Sequence, residues 1–141
     1  MDLTLLLIVA VVVALIVAWR MATRGSRASV ARNRRAQQGE AGAERLLEAQ
    51  GFVVVERQAS RTWSFDVDGE EQHAGVRADL LVERDDMLYV AEVKTGARAP
   101  DPRHPATRRQ LLEYWLVYQP DGLLLVDMER QEVREVVFPF S

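Results

Sequence analysis

Three charged residues border two apolar stretches of the chain. Asp79 precedes Leu80–Val82, whereas Glu92 and Lys94 follow the apolar run Met87–Ala91. Both stretches are apolar at successive positions, which is typical of strands buried on both faces. Because side chains alternate along a strand, Glu92 and Lys94 are expected on one face. Two carboxylates and an ammonium group would then lie on otherwise apolar strands, which points to bound metal.

A tight turn is predicted between the two stretches at Asp85-Asp86, because aspartate is a common turn residue. With a loop of two or four residues, Asp79 lies directly opposite Glu92. Such partners have Cβ atoms roughly 4.5–5.5 Å apart, and like charges there repel each other. A divalent cation between the carboxylates would remove this repulsion. The alternative is that Asp79, Glu92 and Lys94 lie at frayed strand ends and pair with one another and with water.

Lysine is used only once in this sequence. Lys94 is the sole lysine beside seventeen arginines. An ammonium group is a compact charge with three donors, whereas a guanidinium is planar and larger. A lysine at this one position therefore supports a specific role for it.

The composition restricts the kind of metal site. The chain has no cysteine and only two histidines, His73 and His104, which are far apart in sequence. A zinc site built from thiolates or imidazoles is therefore not expected. Oxygen ligands favour Mg²⁺ or Mn²⁺.

Charge is distributed unevenly along the chain. Six arginines and no acidic residue lie between Arg20 and Gly39, whereas the chain from Glu40 onward has a net charge of −8. Since non-specific affinity for nucleic acid comes largely from neutralising phosphates, tight coating of DNA is not expected. A nuclease with a local basic rim and a bound metal remains compatible with this charge.

The apolar run Leu3–Trp19 predicts a transmembrane anchor over residues 1–22. Residues 23–38 are then a basic juxtamembrane linker, and residues 39–141 form the folded domain. The arginines follow the run, so the positive-inside rule predicts a single-pass protein of the cytoplasmic membrane, with the N-terminus outside and the domain in the cytoplasm. The alternative is a cleaved signal peptide and an exported domain.

The rest of the chain predicts alternating helices and strands. A helix is expected at Gly39–Gln50 and another at Ala106–Tyr118, with a proline-containing loop at Ala97–Pro105 before the second. A hairpin extension that turns at Asp68-Gly69 precedes the two central strands. Further strands are expected at Phe52–Glu56, Leu123–Met128 and Val133–Phe138.

This order, with Asp79 followed by Glu92-Val93-Lys94, resembles the PD-(D/E)XK nuclease superfamily. The segment from Gly39 to Phe52 is similar to the opening helix of Holliday-junction-resolvase-like proteins. Gln110 and Tyr114 have the Q-x-x-x-Y spacing of RecB-type exonuclease domains. The resemblance implies an α/β fold, a restriction-endonuclease-like αβββαβ mixed sheet with flanking helices, here preceded by the transmembrane helix. Two departures are Ala78, where the family usually has proline, and the insertion Arg61–Gly75.

The resemblance also implies residue roles. The catalytic residues would be Glu40, Asp79, Glu92 and Lys94, with Glu44 as the alternative helical carboxylate. The metal would be held by Asp79, Glu92, the Val93 backbone carbonyl and Glu40. Substrate contacts would come from Gln110, Tyr114, Arg108 and Arg109, and from Arg103 near the same helix start.

The function predicted on this basis is a membrane-anchored nuclease that hydrolyses phosphodiester bonds with Mg²⁺ or Mn²⁺. The expected substrate is nucleic acid, with DNA favoured over RNA, and the membrane partner would be bound through residues 3–19. A homodimer is compatible with the resemblance to resolvases. The alternative is a catalytically inactive nuclease-like module that serves in binding or assembly at the membrane.

Overall fold

Five strands form one mixed sheet, and they lie in it in the order in which they occur along the chain. The computed structural model describes residues 3–96 and 100–139, so residues 97–99 of the predicted loop lie outside the described part. The chain forms two compact units, Met1–Gln37 and Gln38–Ser141. The elements are α1 (Leu3–Ala49), β1 (Val53–Val67), β2 (Glu70–Arg84), β3 (Met87–Lys94), α2 (Pro105–Tyr118), β4 (Gly122–Asp127) and β5 (Glu132–Val136).

The predicted transmembrane anchor requires correction. Within residues 3–96 and 100–139, no helix combines the length and the apolar composition that crossing a membrane demands. The helix that contains the run Leu3–Trp19 continues past the arginines to Ala49. The prediction of a single-pass membrane protein, with its N-terminus outside and its domain in the cytoplasm, is therefore wrong.

The strand arrangement also differs from the predicted αβββαβ order. After β4 the chain reverses and pairs antiparallel with it as β5, from Asp127↔Glu132 to Leu123↔Val136, which gives αβββαββ. The Asp127 carboxylate stabilises this reversal because it accepts the backbone N–H groups of Glu129 and Arg130. The fold-class prediction is therefore wrong in its strand arrangement, although the sheet is mixed: β3 and β4 are parallel and the other pairs are antiparallel.

The turn between β2 and β3 is the predicted one. Asp85 and Asp86 both have left-handed backbone conformations, with φ of 54° and 61°. Two such residues between paired strands form a type I′ turn, whose twist matches that of the strands. The pairing runs from Arg84↔Met87 to Leu80↔Ala91. The predicted register of this hairpin is confirmed for these pairs, and the ladder ends one position before Asp79 and Glu92.

The hairpin of β1 and β2 is longer and more regular than predicted. The two fifteen-residue strands pair as far as Val67↔Glu70, and β3 accompanies β2 only from Leu80 onward. Near the point where β3 ceases to pair, the Tyr118 hydroxyl donates to the Ala59 carbonyl at 2.5 Å and accepts the Ala78 N–H at 3.1 Å. A side chain of α2 therefore links β1 and β2 at the base of the projecting hairpin.

Apolar side chains cover both faces of the sheet. On one face, Ala43 and Leu47 of α1 pack with Leu80, Val82 and residues of β3 and β4. On the other face, Leu111 and Tyr114 of α2 pack with residues that include Leu81, Val90 and Leu123. Every residue of β4 is buried, as expected for a strand between two helical layers.

Candidate functional site

Asp79 lies where β2 and β3 separate. Its Oδ2 accepts the Val93 backbone N–H at 2.8 Å. Partial burial and the nearby charges of Glu92 and Glu40 raise its pKa to about 6, against the opposing influence of the Val93 N–H and of Lys94. Glu92 and Glu40 therefore both act electrostatically on Asp79.

Glu92 is almost completely buried, with 4% of its surface exposed. Its Oε1 accepts from the Lys94 Nζ at 2.6 Å, and its Oε2 accepts from the Tyr114 hydroxyl at 2.7 Å. Burial of a carboxylate is costly unless it is paired and hydrogen-bonded, and here both oxygens have partners. The sole lysine is thus the direct cationic partner of the more buried acid.

Gln110 and Tyr114 of α2 organise this group from one helix face, because residues four apart are neighbours on a helix. The Gln110 Oε1 accepts from Lys94 at 3.1 Å, and its Nε2 donates to the Tyr114 hydroxyl at 2.8 Å. That hydroxyl also lies 2.9 Å from the Arg77 carbonyl. Burial and the adjacent Glu92 raise the pKa of Tyr114, so it stays protonated and available as a donor. In this structure the two residues contact Glu92 and Lys94.

Helix α1 approaches the end of β3 at a glycine. A Cβ atom at Gly39 would lie 2.2 Å from the Thr95 Cγ2, so only glycine fits this contact without a shift. The next residue, Glu40, is half-buried and acts electrostatically on Asp79. Glu44 instead forms an ion pair with Arg57 at 2.7 Å. Of the two helical carboxylates, Glu40 therefore acts on Asp79 and Glu44 belongs to a surface ion pair.

The donor set fits an oxygen-bound cation in its chemistry. Within residues 3–96 and 100–139, no three carboxylates or imidazoles are already arranged as a metal-binding group. However, burial and the charges of Glu92 and Glu40 raise the pKa of Asp79, and a divalent cation there would favour its ionised form. The Val93 N–H points to Asp79, and the N–H and C=O of one strand residue face the same neighbour. The Val93 carbonyl, the predicted backbone ligand, belongs to the residue whose N–H bonds to Asp79.

Among the described residues, neither Arg108 nor Arg109 is hydrogen-bonded to these carboxylates. Both are exposed in the first turns of α2, and the Arg108 Nη1 donates to the Arg103 carbonyl at 3.1 Å. They remain predicted substrate contacts at the helix end nearer to the loop.

Two structural features were missed in the sequence analysis. Tyr118 links β1 to β2 through its hydroxyl, although its spacing on α2 indicated only a core position. Asp127 is fully buried at the end of β4 and forms an ion pair with Arg130 at 3.0 Å. An acid directly after a wholly apolar strand, followed three residues later by arginine, could have indicated this pair.

Comparisons with known proteins identify the fold only. No family model and no curated protein match this chain. A solved structure described as the crystal structure of SSO0001 is similar, with 19% identity and a TM-score of 0.54. The match covers 72% of this chain and 50% of that one, so the chain spans about half the length of that structure. At this identity the likeness concerns the arrangement of helices and strands.

Proposed function

We propose that this protein is a divalent-metal-dependent nuclease that hydrolyses phosphodiester bonds, with DNA as the favoured substrate. The observation that carries the proposal is the group of charged residues at the end of β3, where Asp79 accepts the Val93 N–H and Lys94 is bonded to the buried Glu92. Burial and the neighbouring acids raise the pKa of Asp79 to about 6, and Lys94 is the only lysine of the chain. Acids with raised pKa values next to a cation are typical of functional sites.

The cation would be held by Asp79, Glu92, the Val93 carbonyl and Glu40. When bound, Mg²⁺ or Mn²⁺ supplies Lewis acidity, which neutralises charge on the phosphate and lowers the pKa of a bound water. Binding requires ionised carboxylates, so Asp79 must lose its proton first. Loss of that proton also leaves a carboxylate that can accept a hydrogen bond from the attacking water.

In this proposal Lys94 would contact the scissile phosphate. An ammonium group has three N–H donors, and Glu92 and Gln110 accept two of them. The third is available for a non-bridging phosphate oxygen, where charge develops during the reaction. Hydrogen bonds aimed at developing charge are among the largest contributions to catalysis. Gln110 and Tyr114 hold Lys94 and Glu92 in place, and thus position this donor.

A second candidate function is that of a non-catalytic nuclease-like module. It is favoured by one observation, namely that both oxygens of Glu92 already have partners, Lys94 and Tyr114. A carboxylate satisfied in this way can be purely structural. Metal binding that depends on Asp79 distinguishes the two candidates, because a structural network has no need of a cation.

The nuclease proposal is tested by incubating the full chain with single-stranded, duplex and branched DNA, and with RNA, in Mg²⁺ or Mn²⁺. We expect cleavage of at least one DNA substrate, its loss in EDTA, and its loss in Asp79→Ala and Lys94→Ala. Arg57→Gln is the matched control, because Arg57 is also ion-paired but its partner, Glu44, belongs to a surface pair. Absence of cleavage, or equal cleavage by the Asp79 and Lys94 variants, would refute the proposal.

A further inference from the structure

A separate cleft lies beyond the end of β4. Residues 100–103 and residues of the β4–β5 hairpin enclose about 450 Å³. Its walls include three arginines, Arg103, Arg130 and Arg134, and two acids, Asp101 and Glu132. Three guanidinium groups in one cleft are notable because the chain from Glu40 onward is strongly acidic.

Each of these arginines is held in place by a neighbour. Arg103 Nε contacts Asp101 Oδ1 at 3.0 Å, and Arg130 Nη1 contacts Asp127 Oδ2 at 3.0 Å. Arg134 Nη2 donates to the Pro100 carbonyl. A guanidinium has five N–H donors in a fixed plane, so these contacts orient the group and still leave donors for a ligand. Oriented guanidinium groups match the paired oxygens of a phosphate.

The cleft lies on the same sheet end as the carboxylate site. Lys94 and Asp127 are paired in the parallel β3–β4 ladder, and the Met128 N–H donates to the Lys94 carbonyl at 3.0 Å. Asp127 in turn holds Arg130, a wall of the cleft. In open α/β sheets, ligands bind outside the carboxyl ends of parallel strands. The cleft and Lys94 therefore lie at the same end of two neighbouring strands.

We propose that this cleft binds a backbone phosphate of a polynucleotide whose neighbouring phosphate lies at Lys94. The inference rests on the proposed function and names a contact that positions its substrate. Asp127 pairs with Arg130 and Asp101 with Arg103, whereas the described contact of Arg134 is with the Pro100 carbonyl and not with a carboxylate. Glu132 also lines the cleft, so a phosphate would be recognised there by guanidinium donors and not by a net positive charge. The same chemistry would also accept a free phosphate or a mononucleotide, and the test separates these sources.

The test measures binding without chemistry. Fluorescence anisotropy of a labelled single-stranded oligonucleotide is followed with the full chain in EDTA, over a series of salt concentrations. Arg130→Gln and Arg134→Gln are each expected to weaken binding about 3- to 10-fold and to reduce the salt slope by about 0.7. Arg57→Gln, on β1 and paired with Glu44, is the control and should bind as the wild type does. Inorganic phosphate and a mononucleotide are added as competitors and should compete only at far higher concentrations.

The outcomes separate this inference from the nuclease proposal. If wild type, Arg130→Gln and Arg134→Gln bind the oligonucleotide with equal affinity, the proposed phosphate contact in the cleft is refuted, even if Mg²⁺-dependent cleavage is found. Arginine-dependent binding without any cleavage would support the cleft and refute the nuclease. Competition by phosphate or mononucleotide as strong as that by unlabelled oligonucleotide would overturn a polynucleotide contact. Arg134→Gln leaves the buried Asp127 pair intact, so its effect cannot be ascribed to misfolding around that pair.

Discussion

Asp127 and Asp79 are two acids near the same end of the sheet, but their surroundings are opposite. Asp127 is fully buried, and its carboxylate accepts two backbone N–H groups and the Arg130 guanidinium. Burial opposes its ionisation, but these donors together hold its pKa below the ordinary value. Asp79 accepts only one backbone N–H, and partial burial together with the charges of Glu92 and Glu40 raises its pKa to about 6.

The difference separates a structural acid from the acid that we propose to hold the metal. The loop after β4 supplies Asp127 with enough donors to keep its charge inside the fold. Around Asp79 the fold adds negative charge, which destabilises the ionised form and leaves a place that a cation can stabilise. Groups that are present in a protein although they lower the stability of its fold are typical of sites of binding or catalysis.

The largest expected effect concerns Lys94, which is bonded to one of the proposed metal ligands, Glu92. Lys94→Gln should lower the rate of Mg²⁺-dependent cleavage about 100-fold or more, because a preorganised donor to the phosphate is lost. Lys94→Arg should restore little, since the planar guanidinium does not fit the place of the ammonium between Glu92 and Gln110. Single-turnover cleavage rates at saturating enzyme measure the effect. A Lys94→Arg variant as active as wild type would contradict this role.

Asp127→Asn should destabilise the fold by about 1–3 kcal/mol at pH 7, because a hydrogen-bonded charge inside the protein is lost. Urea unfolding of both proteins measures the difference. The pKa of Asp127 is lowered in the fold, so the stabilisation is present above the unfolded value and is lost as the pH falls through the folded one. The difference between the proteins should therefore shrink in acid. A constant difference down to about pH 2 would contradict the assignment.

Asp79→Asn should change the free energy of unfolding in the opposite direction, that is, it should stabilise the fold. The pKa of Asp79 is raised in the fold, so the ionised group opposes folding increasingly as the pH rises from the unfolded value to about 6. The variant should be more stable than wild type by about 1–2 kcal/mol at pH 7.5, after allowance for the partial exposure of the group. Below about pH 4 the two should unfold alike. A variant less stable than wild type at pH 7.5 would remove the contrast with Asp127.

The smallest expected effect tests which helical acid acts on Asp79. Glu40→Gln should lower the pKa of Asp79, because it removes one of the negative charges that raise it. Glu44→Gln is the matched control, since Glu44 pairs with Arg57. The carboxyl carbon of Asp79 can be titrated by NMR in all three proteins. Equal shifts from both variants would show that Glu40 has no special position.

Local patterns in the sequence were sufficient to predict the hairpin of β2 and β3. Asp85-Asp86 between two apolar runs predicted the turn, and the alternation of strand side chains then fixed the positions of Asp79, Glu92 and Lys94. The structure has this turn and this register. Both follow from contacts between residues close in sequence, which a pattern can reveal.

Contacts between distant residues could not be predicted in this way. The Tyr118 hydroxyl donates to the Ala59 carbonyl and accepts the Ala78 N–H, and both hydrogen bonds join residues far apart in sequence. The approach of Gly39 to Thr95 depends on how α1 packs against the sheet. The apolar run at the N-terminus was assigned to a membrane from its composition alone, and no described helix meets the requirements of a membrane span. The arginines of the cleft come from the loop before α2 and from the β4–β5 hairpin, so only the fold brings them together.

Mn²⁺ binding to the full chain, measured by calorimetry, tests the central claim most directly. We expect wild type and Asp127→Asn to bind Mn²⁺ at pH 7.5, and Asp79→Asn to bind at least about 10-fold more weakly. Affinity of the wild type should fall when the pH is lowered through about 6, because Asp79 then takes up a proton. Equal Mn²⁺ affinity in wild type and Asp79→Asn, or no binding by the wild type, would contradict the account.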